Sequence, residues 1–252
     1  MDSEGIAPVN STTPSVDLMV PVYNRAEYTR ECLDNLIKNT SWENVRKLSV
    51  YNVCSEDGAR RVIDEMLSPF KGAPYEVVDL AKMTVHDVQN IHVMKAETPF
   101  VVKIDNDTVV PPRWLETALS VQSRYPFIGL LGLYPWLGIS LEGLVPDQYR
   151  YAPTPVVGGL FLSKVSVFRE APCLPKTLGG GYCGFQEWQR TFTRSVIKAW
   201  IVPGIHVILL DMIPFDPWAS LGKSYIKRGW QRMCKPYSPD NKVLDWWRNN
   251  KV

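Results

Sequence analysis

Over about 110 residues, short apolar runs rich in β-branched residues alternate with segments of helical periodicity, and this alternation constrains the fold more than any other feature of the chain. Val16–Tyr23 reads as a buried strand, being apolar almost throughout. Ala26–Asn39 reads as a helix, since Tyr28, Cys32, Leu33, Leu36 and Ile37 share one face. Arg46–Val53 is a second strand, and Ser55 or Asp57 behind it can cap a helix over Ala59–Leu67. Tyr75–Leu80 is a third strand, Thr84 an N-cap for a helix over Val85–Lys95, and Phe100–Ile104 a fourth strand. Pro112–Arg124 follows as a helix with proline in its first turn. Such alternation predicts βαβ units in an α/β domain with a mostly parallel sheet. Right-handed crossovers then bring Asn24, Asn52 and Asp105 to one sheet edge.

The second half is less regular. Phe127–Tyr134 and Val156–Leu162 read as strands, separated by a loop-rich stretch, Pro135–Pro155, that carries Trp136 and Tyr149. Leu174–Gly184, with Gly179–Gly181 at its centre, reads as a mobile loop. Phe185–Lys198 reads as a helix bearing Glu187 and Trp188, and Trp200–Leu210 as the last strand. No internal repeat or low-complexity segment interrupts the chain.

Composition sets the class. With 252 residues, 45% apolar and 21% charged, the chain has the make-up of an ordinary globular protein. Its five cysteines form no CxxC pair and no zinc spacing, which suits a reducing compartment. Met1–Ser15 is polar and reads as disordered or extended, without the basic start and apolar core of a signal peptide. No apolar run approaches the roughly 18–20 residues that span a bilayer, so no transmembrane segment and a cytoplasmic location are expected. Net charge is +2, but from Leu221 to the end eight Lys or Arg stand against two Asp. That basic tail, with Trp230, Trp246 and Trp247 interleaved, suits an anionic partner such as nucleic acid, or serves only as a solvated helix.

The chemistry concentrates in Lys103-Ile104-Asp105-Asn106-Asp107-Thr108. A buried strand that ends in two carboxylates one residue apart delivers acids to its carboxyl edge, where open α/β sheets bind ligands. Asp-x-Asp there can hold a divalent cation through hard oxygen ligands, and the cation can hold a diphosphate. Asp and Asn are also ordinary turn residues, so a solvated turn is the competing reading.

Taken together, these landmarks resemble the family 2 glycosyltransferases of the GT-A fold. Val20-Pro21-Val22-Tyr23-Asn24-Arg25 looks like that family's opening strand and turn, and Ser55-Glu56-Asp57-Gly58 like its Ser-x-Asp-Gly turn. Gln89-Asn90 stands where the family has Arg-Asn. Lys95–Phe100, Ile104–Asp107 and Pro111–Glu116 resemble the stretch around its Asp-x-Asp, and Val157–Ser163, with Gly158 and Gly159, its acceptor-side strand. The likeness spans Val16–Asp216 and is tightest up to Glu116. It implies one Rossmann-like GT-A domain over 16–215, its nucleotide-binding half at 16–116 and its acceptor-side half at 117–215. A basic, Trp-rich helical tail follows at 216–252.

The resemblance further implies a nucleoside-diphosphate sugar donor, Mn²⁺ or Mg²⁺, and direct displacement with inversion. Donor contacts fall on Pro21, Tyr23, Asn24, Arg25, Asn52, Asn90, Asp105 and Asn106. Asn52 stands where the family has a base-contacting Asp, and its amide keeps a donor and an acceptor. The metal falls to Asp105 and Asp107 with His206, or with Asp211 in its place. Glu187 takes the role of the base that removes the acceptor's hydroxyl proton, and its competing role is a first-turn acid favouring its helix dipole. Gly158, Gly159 and Trp188 fall on the acceptor side. The acceptor is a saccharide, a lipid-linked glycan or a hydroxymethylated DNA base. A nucleotidyltransferase and an inactive sugar-nucleotide-binding module share the architecture. The former usually carries a Gly-rich phosphate loop after its first strand, which Tyr23-Asn24-Arg25-Ala26 lacks. His86 and His92 read as surface or packing residues.

Overall fold

The computed structural model describes residues 16–133, 150–153, 160–170, 189, 196–202 and 208–209. Strand β1 (Val16–Val22) buries six of its seven residues, so both faces of the sheet need a covering layer. The chain continues as α1 (Ala26–Asn39), β2 (Val45–Val53), α2 (Ala59–Leu67), β3 (Tyr75–Leu80), α3 (Val85–Lys95) and β4 (Phe100–Lys103). Then come β5 (Thr108–Val109), α4 (Trp114–Arg124), β6 (Ile128–Gly132), β7 (Arg150–Pro153), β8 (Phe161–Lys164), α5 (Val165–Glu170), β9 (Ile197–Val202) and β10 (Ile208–Leu209). Eight strands form one sheet in the order β3-β2-β1-β4-β8-β6-β9-β7. β3, β2, β1 and β4 run parallel, β8 is antiparallel to β4 and β6, and β7 is antiparallel to β9, which runs parallel with β6. The sheet is therefore mostly parallel and the class α/β.

Period-two alternation sorts the strand residues between two layers. Leu18, Val20 and Val22 of β1, Leu48 and Val50 of β2, and Val102 of β4 join Leu33 and Leu36 of α1, Ile63 of α2 and Trp114 and Leu115 of α4. On the other face Met19, Tyr51 and Val53 pack with Val88 of α3, while Val101, Leu130 and Phe161 pack with Val93, Val165 and Phe168. Thr84 caps α3 in a capping box with Asp87: each side chain accepts from the other's backbone N–H. Buried Asp17 accepts from Arg46 Nε at 2.9 Å, Glu97 N at 3.0 Å and Thr98 Oγ1 at 3.0 Å, tying the start of β1 to the segment that enters β4.

His86 and His92 are both buried, which excludes the surface reading and keeps the packing one. Tyr51 Oη lies 3.1 Å from His92 Nδ1. Burial, with a smaller push from the Lys47 charge, outweighs the raising effect of Asp17 and Glu76 and pulls the imidazole from 6.5 down to about 4. Between those values the unfolded chain binds the proton that the folded chain refuses. Stability is therefore flat above the unfolded value and falls as pH drops from about 6.5 towards about 4. His92→Gln, which keeps a polar partner for Tyr51, is expected to flatten the decline of Tm with acid; an unchanged profile would place the titration elsewhere.

Several expectations need correction. α4 starts at Trp114 with Arg113 as its N-cap, so Pro112 precedes the helix instead of opening it. Residues 197–198, read as the end of a helix, belong to β9, because Ile197 and Lys198 pair with β6. The single last strand is two, β9 and β10. β7 lies inside the stretch read as loop, and α5 had no counterpart in the sequence reading.

Candidate functional site

Parallel register fixes where the strands end. Val22 of β1 sits beside Asn52 of β2, Asn52 beside Asp79 of β3, and Met19 beside Lys103 of β4. Asn24, Asn52 and Asp105 therefore emerge at one carboxyl edge, and Ile104 N donates to Met19 O at 2.9 Å just before the acids begin. Three non-glycine residues there, Asn24, Arg25 and Cys54, hold left-handed φ values of 56, 65 and 50°. Each such residue costs about 1–2 kcal/mol.

Side chains from the neighbouring turn hold that backbone. Asn24 N donates to Ser55 Oγ at 2.9 Å, and Glu56 N donates to Asn24 Oδ1 at 2.8 Å. Asp57 takes Ala26 N on Oδ2 at 2.8 Å and Ala59 N on Oδ1 at 3.1 Å, so one carboxylate serves the first turns of both α1 and α2. α2 itself has Gly58 as N-cap, at φ 88° and without a side-chain capping bond, so neither Ser55 nor Asp57 is the N-cap.

The acid turn fastens onto this frame. Asn106 is buried and donates from Nδ2 to Asn24 O at 3.1 Å and Thr29 Oγ1 at 2.9 Å, so its amide holds the turn in place. Asp107 is 7% exposed and its Oδ2 lies 2.5 Å from Arg25 Nη1. Asp105 is more open and pairs with Lys103 Nζ. Cys32 Sγ donates to Asp105 O at 3.5 Å; burial first, and then the Asp107 charge, push its thiol well up, so it adds no charge to the turn. Two carboxylates held at a strand end are hard oxygen donors of the kind Mg²⁺ and Mn²⁺ take, and in that respect they fit such an ion. Among the described residues no third His, Cys, Asp or Glu joins them.

Asn52 donates from Nδ2 to Asp79 Oδ1 at 2.7 Å, and its buried Oδ1 has no hydrogen-bond partner among the described residues. Arg60 Nε bridges both Asp79 oxygens at 3.0 Å, and Asn52 followed by Arg60 holds the Asp79 carboxyl below the usual range. Asp79 and Arg60 were missed in the sequence. The available signal was an acid, Asp79, near the carboxyl end of β3, a strand that also carries Glu76. Pro21 lies in β1 and half-exposed Tyr23 just beyond it, while Asn90 lies on α3.

Antiparallel β5 and β10 pair Leu209 with Thr108, one residue from Asp107. His206 and Asp211 flank that short strand and lie outside the described residues, as do Glu187, Trp188, Gly158 and Gly159. A cavity of about 420 Å³ opens at the opposite edge, between Pro99, Phe100, Val165 and Arg169. It is remote from the acids, and its Arg169 donates to Ala96 O at 3.1 Å, so the strand-end turns are the better candidate site. Among the described residues no helix is long and apolar enough to cross a membrane.

Residues 17–138 match the model of the family described as glycosyl transferase family 2. Over 191 residues the chain is 28% identical to the Bacillus subtilis (strain 168) protein named "Putative glycosyltransferase EpsH", covering 74% of this chain and 49% of the relative. The chain thus spans about half the length of that curated relative. Among solved structures it resembles a mannosyltransferase, PcManGT, of Pyrobaculum calidifontis in complex with GDP-Man and Mn²⁺, with TM-score 0.56 and 18% identity over 73% of this chain and 56% of that one. It also resembles TarS 1–349 of S. aureus in complex with UDP-GlcNAc, with TM-score 0.56 and 14% identity over 74% of this chain and 58% of that one. At these identities the structures speak to the fold alone. Together, the acid-tipped sheet edge, the family match over residues 17–138 and the shared architecture give the chain a GT-A α/β fold similar to that of the family 2 glycosyltransferases.

Proposed function

We propose that the protein transfers a sugar from a nucleoside diphosphate to an acceptor hydroxyl, with a divalent cation and with inversion at the anomeric carbon. The observation that carries this reading is the convergence of the β1, β2 and β4 ends on one edge, with Asp105 and Asp107 fastened there by Asn106 and Arg25. The nucleoside lies over the ends of β1 and β2, near Tyr23, Asn24 and Asn52, with Asn90 on α3 beside it. Asp105 and Asp107 hold Mn²⁺ or Mg²⁺, and His206 or Asp211 completes the set. When bound, the cation supplies Lewis-acid stabilisation of charge on the leaving diphosphate. Glu187 takes the acceptor's proton, and Gly158, Gly159 and Trp188 line the acceptor side. The described relatives in complex with GDP-Man and UDP-GlcNAc support a nucleotide-sugar donor.

A nucleotidyltransferase finds less support. Its phosphate loop offers free backbone N–H groups after the first strand. Here Asn24 N and Ala26 N are both taken, by Ser55 Oγ and Asp57 Oδ2.

A thermal-shift panel of UDP, GDP, CDP, ADP, their sugar conjugates and the corresponding triphosphates, each with Mn²⁺ and with EDTA, tests the reading. One nucleotide series is expected to stabilise the protein only with Mn²⁺, by about 2.7 kcal/mol at 100 times its dissociation constant. The sugar conjugate of that series is then hydrolysed or transferred. Stabilisation by nucleoside triphosphates alone, with pyrophosphate released, would overturn it.

A further inference from the structure

The two acids of the turn each already hold a cation from the chain itself. Arg25 Nη1 sits 2.5 Å from Asp107 Oδ2, with the arginine side chain 21% and the aspartate side chain 10% exposed. Lys103 Nζ sits on Asp105 Oδ1. A metal ion and a guanidinium compete for the same carboxylate, because the two cations repel and the shielded pocket strengthens that repulsion.

The backbone beneath Arg25 cannot yield. Its left-handed turn is held by Ser55 through Asn24, by Asp57 through Ala26, and by Asn106 through the Asn24 carbonyl. The side chain can yield, since an arginine swings about its own rotatable bonds while its root stays fixed. Its guanidinium leans over the Tyr28 ring, with 5.9 Å from Cζ to the centroid, and the residue is the N-cap of α1 at the carboxyl end of β1. Any anion lying across that edge is within the same local field, reinforced by the positive end of the helix.

We infer that Arg25 is a displaceable counter-ion that couples metal binding to nucleotide binding: it occupies Asp107 in the free protein and moves to the diphosphate when a divalent cation takes that carboxylate. This rests on the donor-and-metal reading above. Metal alone binds weakly, because the displaced guanidinium has nowhere to go. Metal with nucleotide binds tightly, because the phosphates give it a new partner. By linkage the metal strengthens nucleotide binding by the same factor that the nucleotide strengthens metal binding.

The test is Mn²⁺ binding to the full chain followed by EPR without nucleotide, together with calorimetric titration of UDP, GDP, CDP and ADP in EDTA and in Mn²⁺. Arg25→Met is expected to bind Mn²⁺ alone roughly 10-fold tighter than wild type while losing most of the Mn²⁺-dependent gain in nucleotide affinity. Arg25→Gln, which keeps a hydrogen-bond donor for Asp107 without the charge, is expected to change both quantities in the same direction by less, and secures the result should Arg25→Met fold poorly. If either folded variant binds Mn²⁺ alone no more tightly than wild type, the counter-ion role is overturned while nucleotide-dependent metal binding by the wild type leaves the transferase reading standing. If wild type binds none of UDP, GDP, CDP and ADP more tightly in Mn²⁺, both fall together.

Discussion

Asp107→Asn is expected to lower sugar transfer by about 10²–10⁴-fold and to leave the protein folded. The size follows from what a Lewis acid supplies. Metal stabilisation of a departing diphosphate is worth several kcal/mol, and each 1.36 kcal/mol is a factor of ten in rate. The amide keeps an oxygen for Arg25 Nη1, now 2.5 Å from Oδ2, but loses the charge that a divalent cation requires. Loss of the ion pair also touches stability, because Asp107 is 7% exposed. Breaking a fully buried pair costs about 3–5 kcal/mol, and this one is partly open, so the cost lies below that range. The two effects separate in the measurements. A metal role predicts that turnover collapses while Tm moves by a few degrees and the Mn²⁺-dependent nucleotide shift disappears. A purely structural role predicts a lowered Tm with near-normal turnover in the fraction that remains folded. That second outcome would remove Asp107 from the metal site.

The first half of the fold was legible because its signals are local. α1, α2, β3 and α3 occupy the ranges read from apolar periodicity, and Thr84 caps α3 as its residue type suggests. The α4 boundary misled because proline is favoured at the first helical position. Here Arg113 takes a left-handed conformation as N-cap and leaves both prolines outside. Elements of the second half depend on partners far along the chain. Residues 197–198 continue a helical-looking pattern, yet pairing with β6 makes them strand. β5 and β10 are two residues each and find one another across about a hundred positions, which no window of periodicity can detect. α5 spans only six residues, too few to display a face.

The same division runs through the candidate site. Asp105 and Asp107 announced themselves by interrupting an apolar strand. What surrounds them did not, since Arg25 meets Asp107 across 82 positions and Asn52 meets Asp79 across 27. Sequence reasoning assigned Asn52 and Asn106 to donor contacts without sight of the partners that folding brings to them. Folding instead commits the Asn52 Nδ2 to Asp79 and the Asn106 Nδ2 to Asn24 and Thr29. Long-range polar pairing is decided by strand order, and strand order is a property of the whole sheet.

Glu187→Gln is expected to lower turnover by about 10²–10⁴-fold while the Mn²⁺-dependent nucleotide shift stays intact. Displacement at the anomeric carbon by a neutral hydroxyl leaves a proton on the attacking oxygen, and a carboxylate accepts it where an amide cannot. Substrate binding needs no such transfer, so the loss falls on kcat and spares nucleotide affinity. A competing role is purely local: an acid in a first helical turn favours its helix by about 0.3–1 kcal/mol. Removing that contribution shifts stability slightly and alters a rate constant by no more than a small factor. The two roles therefore differ by at least an order of magnitude in the same assay. Two residues further on, Gln189 is buried and its carbonyl accepts from Lys198 Nζ at 2.6 Å, which ties that residue to β9. If the base is Glu187, the acidic limb of the pH–rate profile, where a carboxylate gains its proton, flattens in the variant. Wild-type turnover with an unchanged acidic limb would hand the proton to another group.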